Sequence, residues 1–162
     1  MLDTTANLTV TKTLSLLDDA LSSGDIESAV ACFQPDCYWR DLVTFTWNIK
    51  TMEGRDQIGD MLSAQLKTAK PSDWEIAEGE IATEEDGVTT AWITLETDVA
   101  RAYGLIRIKD GLIWTLLTAM TELKGYEEPL GYERPLGAKH GAEPGKLSWV
   151  EEREKELAEL GH

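Results

Sequence analysis

Residues that build metal centres and disulfide frameworks are scarce in this sequence. Its 162 residues include two cysteines and two histidines. Cys32 and Cys37 have the spacing of neither a redox pair nor a zinc knuckle, and we expect both to be small buried residues. His140 lies in a glycine-rich segment and His162 is the last residue of the sequence. This scarcity argues against a histidine-based metal site, and none is predicted.

Basic residues are also scarce relative to acidic ones. Fifteen lysines and arginines stand against 30 aspartates and glutamates, which gives a formal net charge of −15 at neutral pH. Nucleic acids and anionic membranes would repel such a chain, so we expect neither as a partner. The sequence has no apolar run that could cross a bilayer, and its first residues lack the pattern of a secretion signal. A cytoplasmic location is therefore expected.

One stretch, residues 36–47, has the alternation of a β-strand. Its odd positions, Cys37 to Trp47, are apolar except for Asp41. If this face lines an enclosed space, burial makes the carboxylate more basic, and Asp41 becomes a candidate general base. The alternative is structural, because an aspartate at the end of a strand commonly accepts backbone N–H bonds from the next loop.

Two periodicities divide the chain before residue 125. Apolar residues recur at steps of three and four, which predicts helices over residues 8–21, 26–33 and 55–69, and residues 48–54 read as a loop. Alternating strands joined by tight turns are then predicted over residues 74–82, 88–97, 102–109 and 112–123. This order of elements predicts an α+β domain, in which a curved antiparallel sheet wraps over three helices.

A sheet curved in this way leaves a cone whose open end is a candidate pocket. Thr94, Tyr103 and Thr118 are candidate hydroxyl partners for Asp41. Each aromatic residue taken singly is more often part of a core than of a binding site. We expect the ligand to be a small apolar molecule. The candidate pocket residues are Trp39, Phe45, Trp47, Trp92, Thr94, Tyr103, Trp114, Thr118 and Met120.

The composition changes after the last predicted strand. Residues 125–147 are rich in glycine and proline, which suits an extended arm or linker. Ser148 and Glu151 have the spacing of a capping box, which predicts a short charged helix within residues 148–162. We therefore divide the chain into a domain over 1–124, the arm, and the terminal helix.

The order of elements resembles the nuclear transport factor 2-like superfamily. This cone-shaped fold also hosts ketosteroid isomerases, polyketide cyclases, scytalone dehydratases and epoxide hydrolases, and the resemblance covers roughly the first three quarters of the chain. Short sequence motifs resemble, more specifically, the N-terminal region of bacterial and fungal flavin-dependent monooxygenases. The motifs are Tyr38-Trp39-Arg40-Asp41-Leu42, Gly54-Arg55-Asp56, Gly111-Leu112-Ile113-Trp114 and Arg134-Pro135-Leu136-Gly137.

The second resemblance implies a small-molecule-binding accessory domain, with a flavoprotein domain or subunit as a partner. No GxGxxG fingerprint occurs in the sequence, so it lacks the usual means of holding a flavin or nicotinamide. We therefore expect no cofactor in this chain and no complete monooxygenase, and whether it is an enzyme stays open. Small folds of this kind usually dimerise through the open sheet face, so a homodimer is expected.

Two alternatives stay open beside the accessory domain. A stand-alone lyase, cyclase or isomerase of a small apolar substrate would use Asp41 as its base. Ketosteroid isomerases add oxyanion donors, but Leu17 and Gly104 occupy the matching places here. The Asp-Arg-Asp set of epoxide hydrolases is also incomplete, since only Asp98 and Arg101 match it. The other alternative is a non-catalytic dimeric scaffold.

Overall fold

The computed structural model of the chain describes residues 4–134 and 147–160. By internal packing the chain divides into two compact units, Met1–Glu127 and Glu128–His162. The first unit is an α+β domain with a curved, unclosed sheet and three helices, so the predicted fold class is confirmed.

The three helices of the first unit follow the predicted periodicities. They are α1 (Thr4–Ser23), α2 (Ile26–Ala31) and α3 (Gly54–Ala69). The apolar stripe of α1, which includes Leu14 and Leu17, is buried, and so is Ile58 on α3. Asp25 caps α2, because its carboxylate accepts a hydrogen bond from the backbone N–H of Ser28 at 3.0 Å.

Seven strands form one sheet in the described residues. They are β1 (Phe33–Leu42), β2 (Ile49–Glu53), β3 (Ser72–Ile76), β4 (Thr83–Glu85), β5 (Val88–Glu96), β6 (Ala100–Lys109) and β7 (Leu112–Leu123). Their order is β2-β1-β7-β6-β5-β3, and β4 also pairs with β5. Strands β3, β5, β6 and β7 form the expected antiparallel meander, and β4 is a short additional strand that was not predicted. The sheet is nevertheless mixed, because β1 runs parallel to β7, and alternation along a strand does not reveal the direction of its neighbour.

Several boundaries differ from the sequence prediction. The predicted helix over 26–33 ends at Ala31, and Phe33 begins β1. β1 ends at Leu42, because Val43 adopts a left-handed conformation with a φ of 58°. The residues after it form a loop, and the predicted loop over 48–54 is largely β2, which pairs antiparallel with β1. Trp47 is also left-handed and is 56% exposed, so it does not extend the apolar face of β1. The predicted strand over 74–82 is likewise shorter and ends at Ile76.

The core lies on the inner face of the sheet, where α1 packs against β3 and β5, and α3 packs against β1 and β2. The strand registers align Asp41, Thr118, Gly104 and Ile93 across four strands, so these residues share the inner face. All four are buried. Cys37 is buried as predicted, whereas Cys32 is half-buried at the end of α2. The alternate residues of each strand form the outer face.

The second unit contains a short 3₁₀ turn, Gly131–Glu133, and the helix α4 (Trp149–Glu159). The predicted capping box is confirmed, since the side chains of Ser148 and Glu151 each accept a hydrogen bond from the other residue's backbone N–H. Most of the predicted arm, including His140, and the final residue His162 lie outside the described residues. None of the helices in the described parts of the chain has the length and apolarity that spanning a bilayer requires.

Candidate functional site

Asp41 lies on the inner face of β1, one residue before the strand ends, and its side chain has no exposed surface. Its Oδ1 accepts a hydrogen bond from the Thr118 hydroxyl at 2.8 Å. Its Oδ2 accepts from the backbone N–H and the hydroxyl of Thr46, both at 2.8 Å. The backbone N–H of Phe45 donates to both oxygens, at 3.2 and 3.0 Å. Asp41 therefore accepts backbone N–H bonds from the next loop, as the structural alternative predicts.

Four donor groups surround this carboxylate, and an ionised carboxylate offers about four lone-pair positions. The hydroxyl of Thr118 is itself held in place, because the indole N–H of Trp39 donates to it at 3.0 Å. The network runs from Trp39 through Thr118 to Asp41 and then into the loop. Both carboxylate oxygens of Asp41 accept hydrogen bonds from other residues of the protein. These hydrogen bonds anchor the loop that contains the strained Val43.

Aromatic rings fill the space around the network. Trp39 stacks on Phe33 at a centroid distance of 5.7 Å and meets Phe45 edge-on at 5.1 Å. Trp74 contacts both Trp39 and Phe45, at centroid distances of 6.4 and 6.5 Å. These four residues are at most 6% exposed. Asp41 does not line any of five surface hollows found among the described residues.

The structure brings only some of the predicted pocket residues together. Trp39, Phe45 and Thr118 adjoin Asp41. Trp92 and Tyr103 instead stack on each other at 5.2 Å on the outer face of the sheet, which they share with Thr94. The remaining members are the exposed Trp47 and the half-buried Trp114 and Met120 of β7. Successive side chains of β5 and β6 point to the inner and the outer face in turn. The presence of aromatic residues in a strand therefore does not show which face they line.

The two positions matched to the oxyanion donors of ketosteroid isomerases, Leu17 and Gly104, are both buried by close packing. Leu17 is fully buried in the core. A Cβ atom at Gly104 would lie 2.2 Å from the backbone oxygen of Leu117, which is far inside van der Waals contact. An aspartate could not take that place without moving β7 away from β6. The described residues also contain no cluster of three or more metal-binding side chains.

A groove between α1, α2 and α3 was not predicted. Its volume is about 490 Å³, and its lining combines apolar, hydroxyl and basic side chains. The sequence does not indicate this groove, because its apolar lining residues belong to the buried stripes of the helices and its polar lining residues have the pattern of helix ends. The lining includes Leu21, Ser22, Ile26, Leu66, Lys67 and Pro71.

Solved structures share this fold at low sequence identity. A domain of unknown function with a cystatin-like fold from Nostoc punctiforme PCC 73102 is 14% identical, with a TM-score of 0.58 over 73% of this chain and 78% of that one. The Orange Carotenoid Protein of Anabaena (Nostoc) sp. PCC 7120, which binds canthaxanthin, is 14% identical, with a TM-score of 0.53 over 67% of this chain and 35% of that one. A computationally designed 17-OHP binder is 13% identical, with a TM-score of 0.54 over 70% of this chain and 91% of that one.

At such identities these likenesses show the fold alone, and they agree with the predicted α+β architecture of a curved sheet over three helices. No curated protein matches the sequence. The sequence model of the SnoaL-like domain matches residues 15–116, which is more than half of the chain. The chain therefore belongs to the SnoaL-like domain family.

Proposed function

We propose that this chain is a small-molecule-binding domain that catalyses no reaction by itself. The observation that carries the proposal is the occupied carboxylate of Asp41, which accepts hydrogen bonds from four donor groups of the protein. A general base must reach the proton that it removes, and Asp41 is buried among side chains that leave no approach to it. Two proteins with this fold are described as binders, of canthaxanthin and of 17-OHP, which supports a binding role.

Incubation with a panel of apolar carbonyl and ring-opening substrates tests this proposal. The wild-type chain is expected to bind members of the panel, measured by calorimetry, without converting them, measured by mass spectrometry. The enzyme alternative predicts conversion that Asp41→Asn abolishes while the fold stays intact by circular dichroism. That result would overturn the proposal.

The same domain is proposed to serve a flavin-dependent monooxygenase as an accessory domain. Short sequence motifs on β1, at the start of α3 and on β7 support this role, because they resemble the N-terminal region of such enzymes. The test is capture of the tagged chain from cells that express it naturally, followed by mass spectrometry. A flavoprotein among the captured proteins is expected, and its absence together with the absence of a neighbouring flavoprotein gene would count against this role.

A homodimer through the outer face of the sheet is proposed as well. Across four strands this face carries the row Arg40, Leu117, Leu105 and Trp92. The row has one cation and no carboxylate, so two copies of this acidic chain repel each other less here than elsewhere. Trp92 is 40% exposed, although its ring is large and apolar.

Light scattering measures the mass in solution. Leu105→Glu is expected to convert a dimer into a monomer, because it places a charge in the middle of the contact. Leu8→Glu is the matched control, since Leu8 is exposed on α1. A monomeric wild-type chain, or a dimer that survives Leu105→Glu, would overturn this proposal.

A further inference from the structure

The groove between α1, α2 and α3 differs in charge from most of this protein. The sequence has 30 acidic residues against 15 lysines and arginines. The lining of the groove nevertheless contains two lysines, Lys67 and Lys70, and no aspartate or glutamate. Of five hollows found among the described residues, it alone combines cations with no carboxylate. The groove can therefore attract an anion at short range, although the chain as a whole is acidic.

The two lysines differ in how far the protein neutralises them. Lys67 lies in the last turn of α3, and Lys70 directly follows that helix. Nζ of Lys70 lies 3.4 Å from Oδ2 of Asp98, and both side chains are more than half exposed, so this ion pair is weak. In the part of the chain that the structure describes, Lys67 makes no ion pair. Its ammonium group has N–H donors available for a ligand.

The hydroxyl groups of the groove already donate within the protein. Ser23 donates to the backbone oxygen of Ala20 at 3.0 Å, and Ser63 donates to that of Gly59 at 2.7 Å. The third hydroxyl, that of Ser22, is hydrogen-bonded to a carboxylate of α1. The side-chain donors that remain in the lining are those of the two ammonium groups. Such charged donors form their strongest hydrogen bonds with anionic oxygens.

The rest of the lining is mainly apolar and forms a shallow floor. Leu21, Leu62 and Leu66 are at most 9% exposed, so a ligand would lie on them rather than insert between them. Ile26 of α2 is only half-buried and offers more of its surface. The aliphatic stems of lysines add apolar surface while their ammonium groups stay in water. A compact apolar body with one polar end fits this arrangement.

We propose that this groove binds a small apolar molecule that carries one carboxylate. The carboxylate accepts hydrogen bonds from Nζ of Lys67, with Lys70 as a second cation, and the apolar body lies against Ile26 and the leucine floor. One negative charge suits the site, because Asp98 offsets part of the charge of Lys70 and the acidic chain repels a dianion more strongly. The volume of about 490 Å³ lies within the usual range for ligand pockets. This inference rests on the proposed binding function and gives that function a place and a class of ligand.

Calorimetric titration of the full chain with two probes of similar shape tests the inference. 2-Naphthoate carries the carboxylate, and 2-naphthamide has a neutral amide in its place. Wild type is expected to bind 2-naphthoate about fivefold more tightly, because only the carboxylate forms an ion pair, and an exposed ion pair contributes modestly. This advantage should shrink at high ionic strength, since salt screens exposed charges.

Three lysine variants assign the difference between the probes to the groove. Lys67→Gln is expected to remove most of the advantage of 2-naphthoate and to leave the affinity for 2-naphthamide unchanged. Lys70→Gln should have a smaller effect, because Asp98 offsets part of its charge. Lys12→Gln is the matched control, since Lys12 is exposed on α1 outside the groove and its replacement changes the net charge equally.

A fourth variant tests where the apolar body lies. Ser63→Phe places a ring in the groove and is expected to weaken the binding of both probes by about tenfold, because it covers the apolar floor. Ala64→Phe adds a ring at the neighbouring exposed position of α3, outside this groove. This control is expected to bind both probes as wild type does.

Equal affinity of wild type for the two probes would overturn the inference, and so would a Lys67→Gln variant that keeps the advantage of 2-naphthoate. Failure of wild type to bind either probe would overturn it too, and the substrate panel would then test the proposed function by itself. Binding that Ser63→Phe does not weaken would overturn the inference but leave the proposed function standing at another site. Conversion of a substrate through Asp41 would overturn the proposed function without involving the groove. If Ser63→Phe does not fold, the lysine variants still decide the matter.

Discussion

Asp41 and Asp18 are both aspartates of the first unit with a buried carboxylate oxygen, yet their surroundings differ. Asp41 accepts hydrogen bonds from four donor groups and holds a loop in place. Asp18 has one oxygen with no partner among the described residues. A buried carboxylate whose donors are all supplied by the protein stabilises the fold, whereas one with an unpaired buried oxygen costs folding free energy when it is ionised. Counting donors therefore distinguishes the two aspartates better than the apolar character of their surroundings.

The largest effect is expected at Asp41. Asp41→Ala leaves the backbone N–H groups of Phe45 and Thr46 and the hydroxyl of Thr118 without their acceptor in a buried region. The free energy of unfolding is expected to fall by about 4 kcal/mol, since several buried donors lose their partner together. Urea denaturation measures the change.

Asp60→Ala is the matched control for this prediction, because Asp60 is exposed on α3. Its effect is expected to stay within about 0.5 kcal/mol. Equal effects of the two substitutions would show that the Asp41 network does not stabilise the domain, and the contrast with Asp18 would then be lost.

A similar cost is expected where β6 passes close to β7. Gly104→Ala places a Cβ atom 2.2 Å from the backbone oxygen of Leu117, so the two strands must separate. This separation also displaces Thr118, the residue next to Leu117. We expect a loss of about 3 kcal/mol in the free energy of unfolding, measured by urea denaturation. A variant as stable as wild type would mean that the inner face near Asp41 has room for a side chain.

Removal of one hydroxyl group should have a smaller effect. Thr118→Val keeps the shape of the side chain but removes the group that joins the indole of Trp39 to Asp41. We expect a loss of about 2 kcal/mol, because the indole N–H becomes unpaired and Asp41 loses one donor. Urea denaturation measures it, with Thr115→Val on the outer face of β7 as the control. Identical losses in the two variants would contradict the assigned role of the network.

The smallest effect, of opposite sign, is expected at Asp18. The raised pKa of Asp18 means that its ionised form destabilises the folded state, so stability rises as the pH falls through the folded-state pKa toward the ordinary value of 3.8. Asp18→Asn is therefore expected to raise the melting temperature at pH 7. The gain should be below about 1 kcal/mol, because solvent screens a half-buried group.

Thermal unfolding from pH 7 to pH 3 measures this effect. The advantage of Asp18→Asn should shrink as the pH falls, because Asp18 of the wild type becomes neutral too. Asp60→Asn makes the same substitution at an exposed position of α3 and is the control for the effect of the substitution itself. An advantage that grows on acidification, or none at pH 7, would contradict the raised pKa of Asp18.

Much of the first unit could be predicted from local pattern. The stripe that includes Leu14 and Leu17 revealed α1, and the alternation of Trp39 and Asp41 placed both on a buried face. Phe45 was expected beside Asp41 as part of one continuous strand. It lies there through a loop instead, which could not be predicted because the loop depends on the left-handed Val43, a conformation that β-branched residues rarely adopt. The groove between α1, α2 and α3 was missed because its walls come from three separate helices.

By itself, the sequence determined the order of the three helices and of most strands, and that Asp41 shares one face of a strand with apolar residues, because these properties depend on periodicity among near neighbours. Only the tertiary structure decided what Asp41 does. Thr118 lies 77 residues further along the chain and reaches Asp41 because β7 pairs in parallel with β1. Only the packing of α1 against β3 decided that Asp18 and Trp74 retain unpaired atoms. Hydrogen bonds between distant segments depend on strand order and helix packing, which local patterns do not encode.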